Sequence, residues 1–227
     1  MLYRALQGAT LIGKDVIPTL CWMQARDVAG MRIVGGHAAL DLANTVSSRR
    51  GGTGIDYLAS YDDLLLWAVR QGILGEQDAG GLGAAARTDP AAAVLAMQSA
   101  KRLRECVWRM WIAMQGGDDP AAGDLAFVTS EVLAAQRARS LVWSEVGCRW
   151  RWTEAAGFDA VTVRVALAFS ELLSGEHLHR VRECGGWQCG WLFLDTTRNG
   201  TRRWCTAEQC GSLDRVTRFR AKRKTAG

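Results

Sequence analysis

Four cysteines near the C-terminus set the terms for the fold of this chain. They read Cys184-x4-Cys189, then fifteen residues, then Cys205-x4-Cys210, within the run CGGWQCGWLFLDTTRNGTRRWCTAEQCG. Two close pairs joined by a short segment can surround one tetrahedral ion, each pair supplying two thiolates from a tight turn. Zinc favours such a closed four-sulfur site. One structural Zn2+ is therefore the expected cofactor, held by Cys184, Cys189, Cys205 and Cys210. A module this small cannot fold on an apolar core alone, so metal binding would supply much of its folding free energy. The alternative is a pair of disulfides in a secreted protein. Against it, Lys14, Asp15 and Pro18 interrupt any apolar leader-like run. A reducing cytoplasm suits clustered metal-binding cysteines better. No stretch approaches the length of a membrane-spanning helix, so no membrane partner is expected.

The segment between the pairs reads as a hairpin, with WLFLD as one strand, a turn at Asn199-Gly200, and TRRWC as the returning strand. His177 and His179 lie just upstream, and surface or packing roles suit them because four thiolates already complete a site. After Cys210 comes GSLDRVTRFRAKRKTAG. Ser212 is placed to cap a short helix, with Leu213, Val216 and Phe219 docking inward and Arg215, Arg218 and Lys222 facing outward. Arg220, Arg223 and Lys224 extend the charge, and Arg198, Arg202 and Arg203 on the hairpin add to it.

The net charge of +5 is unevenly spread. Residues 181–227 hold ten Arg and Lys against four Asp and Glu (+6), while the other 180 residues hold eighteen against nineteen (−1). The basicity is a local device. It is either a solvated terminus or a phosphate-contacting arm on a metal-ordered scaffold, with DNA as the expected partner.

Upstream, the chain alternates helical periods with a single β-hairpin. Ser60 and Asp63 start a helix over Tyr61–Gln71. Residues 75–88 are glycine- and alanine-rich, either weak helix or loop. Asp89-Pro90 opens a long helix to about Gln115 with a stripe of Val94, Met97, Leu103, Cys106 or Val107, Met110, Trp111 and Met114. Asp119-Pro120 opens another to about Arg139 with Leu125, Val128, Val132 and Leu133 apolar. Between Ser140 and Thr153 the period becomes two, with a turn at Gly147, and a last helix spans about Phe158–Ser174. The tryptophans are expected in the core.

The expected fold is thus α+β. A mostly helical N-terminal domain with a small β-hairpin spans residues 31–176, and a four-cysteine zinc module, hairpin then basic helix, spans 180–224 and docks on the last helix. Residues 1–30 lack a clean period and read as an N-terminal extension, with Met31 the more convincing start.

The segment CGWLFLDTTRNGTRRWCTAEQCG resembles the CGNR-type zinc finger of bacterial proteins. HAALDLANTV and YDDLLLWAVRQGIL resemble the opening of the ABATE domain that accompanies it. The resemblance covers about residues 31–222. It implies a stress-induced transcription regulator whose finger binds zinc and DNA. One departure stands out: the naming tetrapeptide Cys-Gly-Asn-Arg is here Cys210-Gly211-Ser212-Leu213. The cysteine and glycine stay, and one arginine is lost from the basic surface.

No nucleophile elbow, phosphate-cradling glycine loop or paired-carboxylate motif is present, so an enzyme is not expected. His37, Asp41 and Asn44 are polar residues in an apolar segment. They either line a small-molecule pocket or cap turns and helix ends where the opening segment meets the core. The leading expectation is a DNA-binding regulator whose helical domain senses an effector, forms a homodimer or contacts another protein. The alternative is an RNA-binding or protein-interaction module in which zinc only orders the tail.

Overall fold

Side-chain caps mark the starts of two of the longer helices. Ser60 and Asp63 form a reciprocal capping box, and the Asp89 side chain accepts from Ala92 N ahead of Pro90. The computed structural model describes residues 27–51 and 54–217. The order is α1 (Ala38–Ala43), α2 (Tyr61–Arg70), α3 (Glu76–Thr88), α4 (Pro90–Gly116), α5 (Ala122–Arg137), β1 (Arg139–Ser144), β2 (Gly147–Trp152), α6 (Ala160–Ser174), β3 (Val181–Glu183) and β4 (Leu192–Leu194). β1 pairs antiparallel with β2, and β3 with β4. No described helix is long and apolar enough to cross a membrane.

Helices α1, α4 and α6 pack on one another at the centre, with α2 and α3 on one side and α5 against α6. Leu40, Leu42, Trp67, Leu103, Val107 and Val165 are fully enclosed there. The same apolar cluster runs without a break into Trp191, Leu192, Phe193 and the four cysteines. It also takes in Val28 and Met31, whose carbonyls accept from Arg70. The packed body therefore includes residues ahead of Met31.

Several expectations shift. The glycine-rich stretch is a full helix, α3, because Ala79 and Gly83 bury against the core, and packing overrides weak propensity. On α4 the buried stripe runs through Ala93, Ala96, Met97, Ala100 and Leu103, which leaves Val94, one position off the stripe, 55% exposed. Alanine supplies three of these five positions, so helices approach closely along the first half of α4. On α5 the buried residues are Phe127, Val128 and Ala135, while Leu125 and Leu133 face solvent.

The β1–β2 ribbon pairs Leu141 with Trp150 and Trp143 with Cys148. Among the described residues no second layer covers it, and Trp143 is 81% and Trp150 55% exposed, against the expectation of core tryptophans. Trp152, at its base, lies under the Arg164 guanidinium at 4.8 Å.

A charged network fixes the segment between α1 and α2. Arg104, buried on α4, donates to Asp56 Oδ1 (2.7 Å) and Glu105 Oε1 (2.8 Å), and Arg49 donates to Glu105 Oε2 (2.6 Å). Burial alone would raise the Asp56 and Glu105 carboxyls, but these cations hold both below their usual range. The network matters because Arg49 and its neighbours carry the C-terminal module.

Candidate metal centre and basic surface

Strands β3 and β4 run antiparallel with Arg182 opposite Phe193, which places Cys184 beside Trp191 and folds residues 184–190 into a tight knuckle. Its glycines are required. A Cβ on Gly186 would lie 2.9 Å from Cys210 Cβ and 3.0 Å from its sulfur. Gly190 has φ +65°, and a Cβ there would lie 2.8 Å from Arg49 Cβ. Cys205 and Cys210 arrive from the other side, the latter in a one-turn π-helix over Ala207–Gly211.

The four buried sulfurs all lie within 4.8 Å of one another. Cys189 and Cys205 sulfurs are 3.8 Å apart, and those of Cys205 and Cys210 3.5 Å. Sulfurs at about 2.3 Å from a zinc ion at tetrahedral corners stand about 3.8 Å apart, so the donor set and its spacing fit zinc. Backbone N–H groups of Gly186 and Cys205 point at the Cys184 sulfur, at 3.4 and 3.2 Å. Contacts with the other sulfurs, Cys189 foremost, hold Cys184 far below the usual thiol range, and the contact with Cys184 pushes Cys189 far above it. Such a quartet ionises together only when a cation shares the charge. The four cysteines form one structural zinc site. His177 is exposed and only 3.9 Å from Glu176, and neither His177 nor His179 joins the sulfur cluster.

The expected return strand does not form. TRRWC pairs with nothing in a ladder, and β4 takes β3 as its partner instead. Asp195 is the reason. Its buried carboxylate accepts from Thr197 N and Oγ1 through Oδ1 (2.9 and 2.6 Å) and from Arg202 N through Oδ2 (2.9 Å). These bonds bend the chain away from β4 at the point where a hairpin would continue.

Nor does the module rest mainly on α6, as expected. It docks on residues 32–50. In β4, Leu192 and Leu194 point their backbone groups away from β3. Asn44, fully buried at the end of α1, donates Nδ2–H to Leu192 O and accepts Leu192 N–H through Oδ1, both at 2.8 Å. Leu194 N donates to Gly35 O at 2.7 Å. One side-chain amide and one loop carbonyl thus complete the free edge of β4. Trp191 Nε1 donates to Val46 O (2.7 Å), Trp108 Nε1 to Gly190 O (3.3 Å), Arg49 N to Cys189 O (2.9 Å), and Arg32 to Thr206 Oγ1 (2.8 Å).

The other polar residues of the opening segment are structural in placement. His37 caps α1, its Nδ1 accepting from Ala39 N at 3.3 Å, and burial pulls its pKa below the usual value. Asp41 Oδ1 accepts from Val34 N (2.9 Å) and Gly35 N (2.7 Å). None of the three lines an open cleft among the described pockets. The clamp by Asn44 and the docking roles of Arg49, Arg32 and Trp191 escape sequence reasoning. Their only signal is a polar Asn three residues after Asp41 in an otherwise apolar helix.

The basic residues divide. Arg202 turns inward: it lies 4.2 Å over the Phe193 ring and donates to the carbonyls of Val34, Trp204 and Cys205, at 3.1, 3.1 and 2.6 Å. This replaces its expected place on a nucleic-acid-facing surface. Carbonyls left over by the missing strand take up its guanidinium. Arg198 and Arg203 are exposed, the latter over Trp204. The short helix expected after Cys210 is present over residues 212–217, but Ser212 is its first residue and not its cap: it has helical dihedrals, follows directly on the π-turn that Thr206 precedes, and accepts from exposed Arg215 at 2.9 Å. Arg218, Phe219, Arg220, Lys222, Arg223 and Lys224 lie outside the described residues.

Comparison with known families places this geometry. Residues 36–176 match ABATE, described as putative stress-induced transcription regulator, and residues 180–223 match the CGNR zinc finger. None of the curated proteins compared with the chain matches it. With most of its length under the first model and its zinc module under the second, the chain belongs to the ABATE family and carries a CGNR zinc finger.

Proposed function

We propose that this protein is a cytoplasmic transcription regulator whose zinc module contacts DNA phosphates. The observation that carries the reading is the division of labour among arginines. The zinc-ordered module turns Arg202 inward to hold its own fold and leaves Arg198, Arg203 and Arg215 exposed. The chain beyond them, residues 218–227, adds Arg218, Arg220, Lys222, Arg223 and Lys224 with no acidic residue. Exposed cations on a rigid scaffold bind duplex phosphates by counterion release. The zinc is structural, since four sulfurs leave no open coordination position, and no catalytic role is assigned to the chain. Family membership supports the regulatory role.

The test is a salt titration of duplex-DNA binding by zinc-loaded protein beside a Cys184→Ser/Cys205→Ser variant. Binding that falls steeply with salt and needs the cysteines is the expected result. A second reading draws on two subtractions from the basic surface, Arg202 by its inward turn and the lost arginine at Leu213. In it the module binds structured RNA or a protein instead. Tighter binding to an RNA stem-loop than to duplex DNA at equal salt would favour it.

A further inference from the structure

A guanidinium short of partners lies well away from the zinc module. Arg164, on α6, donates through one terminal nitrogen to Ile73 O at 2.7 Å and stacks 4.8 Å over the Trp152 ring. Its buried Nε has no acceptor, and no ion pair engages it among the described residues. Burial pulls its pKa below the usual value, and the charge of Asp78 only partly opposes this. A half-buried cation with no direct ion pair is costly, and an arriving anion relieves that cost.

The guanidinium borders a cleft of about 700 Å³ enclosed by α3, the end of β2 and the turn leading into α6. That volume lies within the range of small-ligand sites. Leu74, Leu82 and Trp152 give the cleft an apolar wall, while Asp78 and Glu154 contribute two exposed carboxylates that engage in no ion pair among the described residues. The lining carries both signs, Arg151 and Arg164 beside Asp78 and Glu154, which favours a ligand that also carries both.

We propose that this cleft binds an apolar or aromatic α-amino acid, with its carboxylate on Arg164, its ammonium toward Asp78 and Glu154, and its side chain against Trp152 and Leu82. Guanidinium–carboxylate pairing fixes orientation, and the indole face suits a planar or branched side chain. The three requirements select together: a simple carboxylate leaves the acids unanswered, and an amine leaves the guanidinium so. The cleft touches the ribbon, α3 and α6 at once, so occupancy would tie three elements that otherwise meet loosely. This inference does not depend on the DNA reading, because the site lies in the helical domain and its test reads no nucleic acid.

The experiment titrates full-length, zinc-loaded protein with L-phenylalanine, L-leucine, 3-phenylpropanoate and phenethylamine. It follows heat by calorimetry and the Trp152 indole N–H by NMR, assigned with Trp152→Phe. The amino acids are expected to bind and move the Trp152 signal, with both analogues at least about tenfold weaker. Arg164→Gln is expected to lose at least about tenfold in affinity. Because Arg164 also holds Ile73 O, the exposed pair Asp78→Asn/Glu154→Gln provides an independent check. It should weaken L-phenylalanine about tenfold and leave 3-phenylpropanoate no weaker. Absence of amino-acid binding up to about 10 mM, or equal affinity for 3-phenylpropanoate and L-phenylalanine, would overturn the proposal.

Discussion

Replacing Asn44 by alanine should unfasten the zinc module from the helical domain. The two bonds at 2.8 Å satisfy both backbone groups of Leu192, which β3 does not reach and which are fully enclosed. Without the amide, a donor and an acceptor are left buried, each at about 1–3 kcal/mol. The vacated volume adds about 1 kcal/mol. A destabilisation of about 3–7 kcal/mol is expected, equivalent to a fall in Tm of roughly 6–28 °C for a chain of this size. The assay is urea unfolding at fixed free zinc, followed by far-UV circular dichroism, with Gln136→Ala on the surface as control. Zinc affinity, measured by chelator competition, should fall with it, because the knuckle loses its support. Asn44→Asp should be no milder, since it keeps the acceptor, loses the donor and buries a charge. A loss under about 0.5 kcal/mol with unchanged zinc affinity would refute the clamp and mean that the apolar contacts of Trp191 and Phe193 alone hold the module.

Other expectations follow from the same geometry. Gly186→Ala should lower zinc affinity at least about tenfold, since the added Cβ meets Cys210 at 2.9 Å; chelator competition checks it. Arg202→Ala should destabilise the fold by about 2–3 kcal/mol, whereas Arg203→Ala should leave stability within about 0.5 kcal/mol and flatten the salt dependence of DNA binding. Denaturation of each variant, together with its salt titration, separates the two arginines. Burial raises the Asp41 carboxyl above its ordinary value, against hydrogen bonds from Gly35 and Val34. The folded protein therefore holds that proton more tightly than the unfolded chain. Stability from this group is full below the unfolded carboxylate pKa and falls as pH rises through the raised folded one. Asp41→Asn keeps an acceptor for Val34 and Gly35 and should gain on the wild type as pH rises through that window, the difference being read by urea titration at stepped pH with zinc fixed.

What was legible in the sequence depended on the range of the interactions. The caps at Ser60 and Asp89, the ribbon turned at Gly147 and the four-sulfur spacing are local chemistry, and each appears as expected. The glycine-rich α3 was ambiguous because its own propensity is weak and its partner, α2, decides the outcome. The hairpin signal Asn199-Gly200 does make a turn, with Gly200 at φ +62°, but Asp195 upstream captures the chain before it can pair. Arginine is usually solvated, so the sequence points Arg202 outward. Only the fold reveals four carbonyls, of Val34, Leu194, Trp204 and Cys205, gathered around it. The tryptophans misled in the opposite sense: apolar periodicity places Trp143 and Trp150 on one face of a ribbon without saying whether anything lies over that face.

Asn44 and Leu192 are 148 positions apart. During synthesis at about 5–20 residues per second, roughly 7–30 s pass between the emergence of the two. Throughout that interval the face of α1 that β4 will cover has no partner, and the final metal ligand, Cys210, comes later still. Helices α2 to α6 emerge before then, but the last surface of the core is covered only by β4, in a module that zinc binding helps to fold. Zinc scarcity would therefore be registered at birth, as nascent chains with an open seam along α1, before it was registered as loss of metal from finished protein.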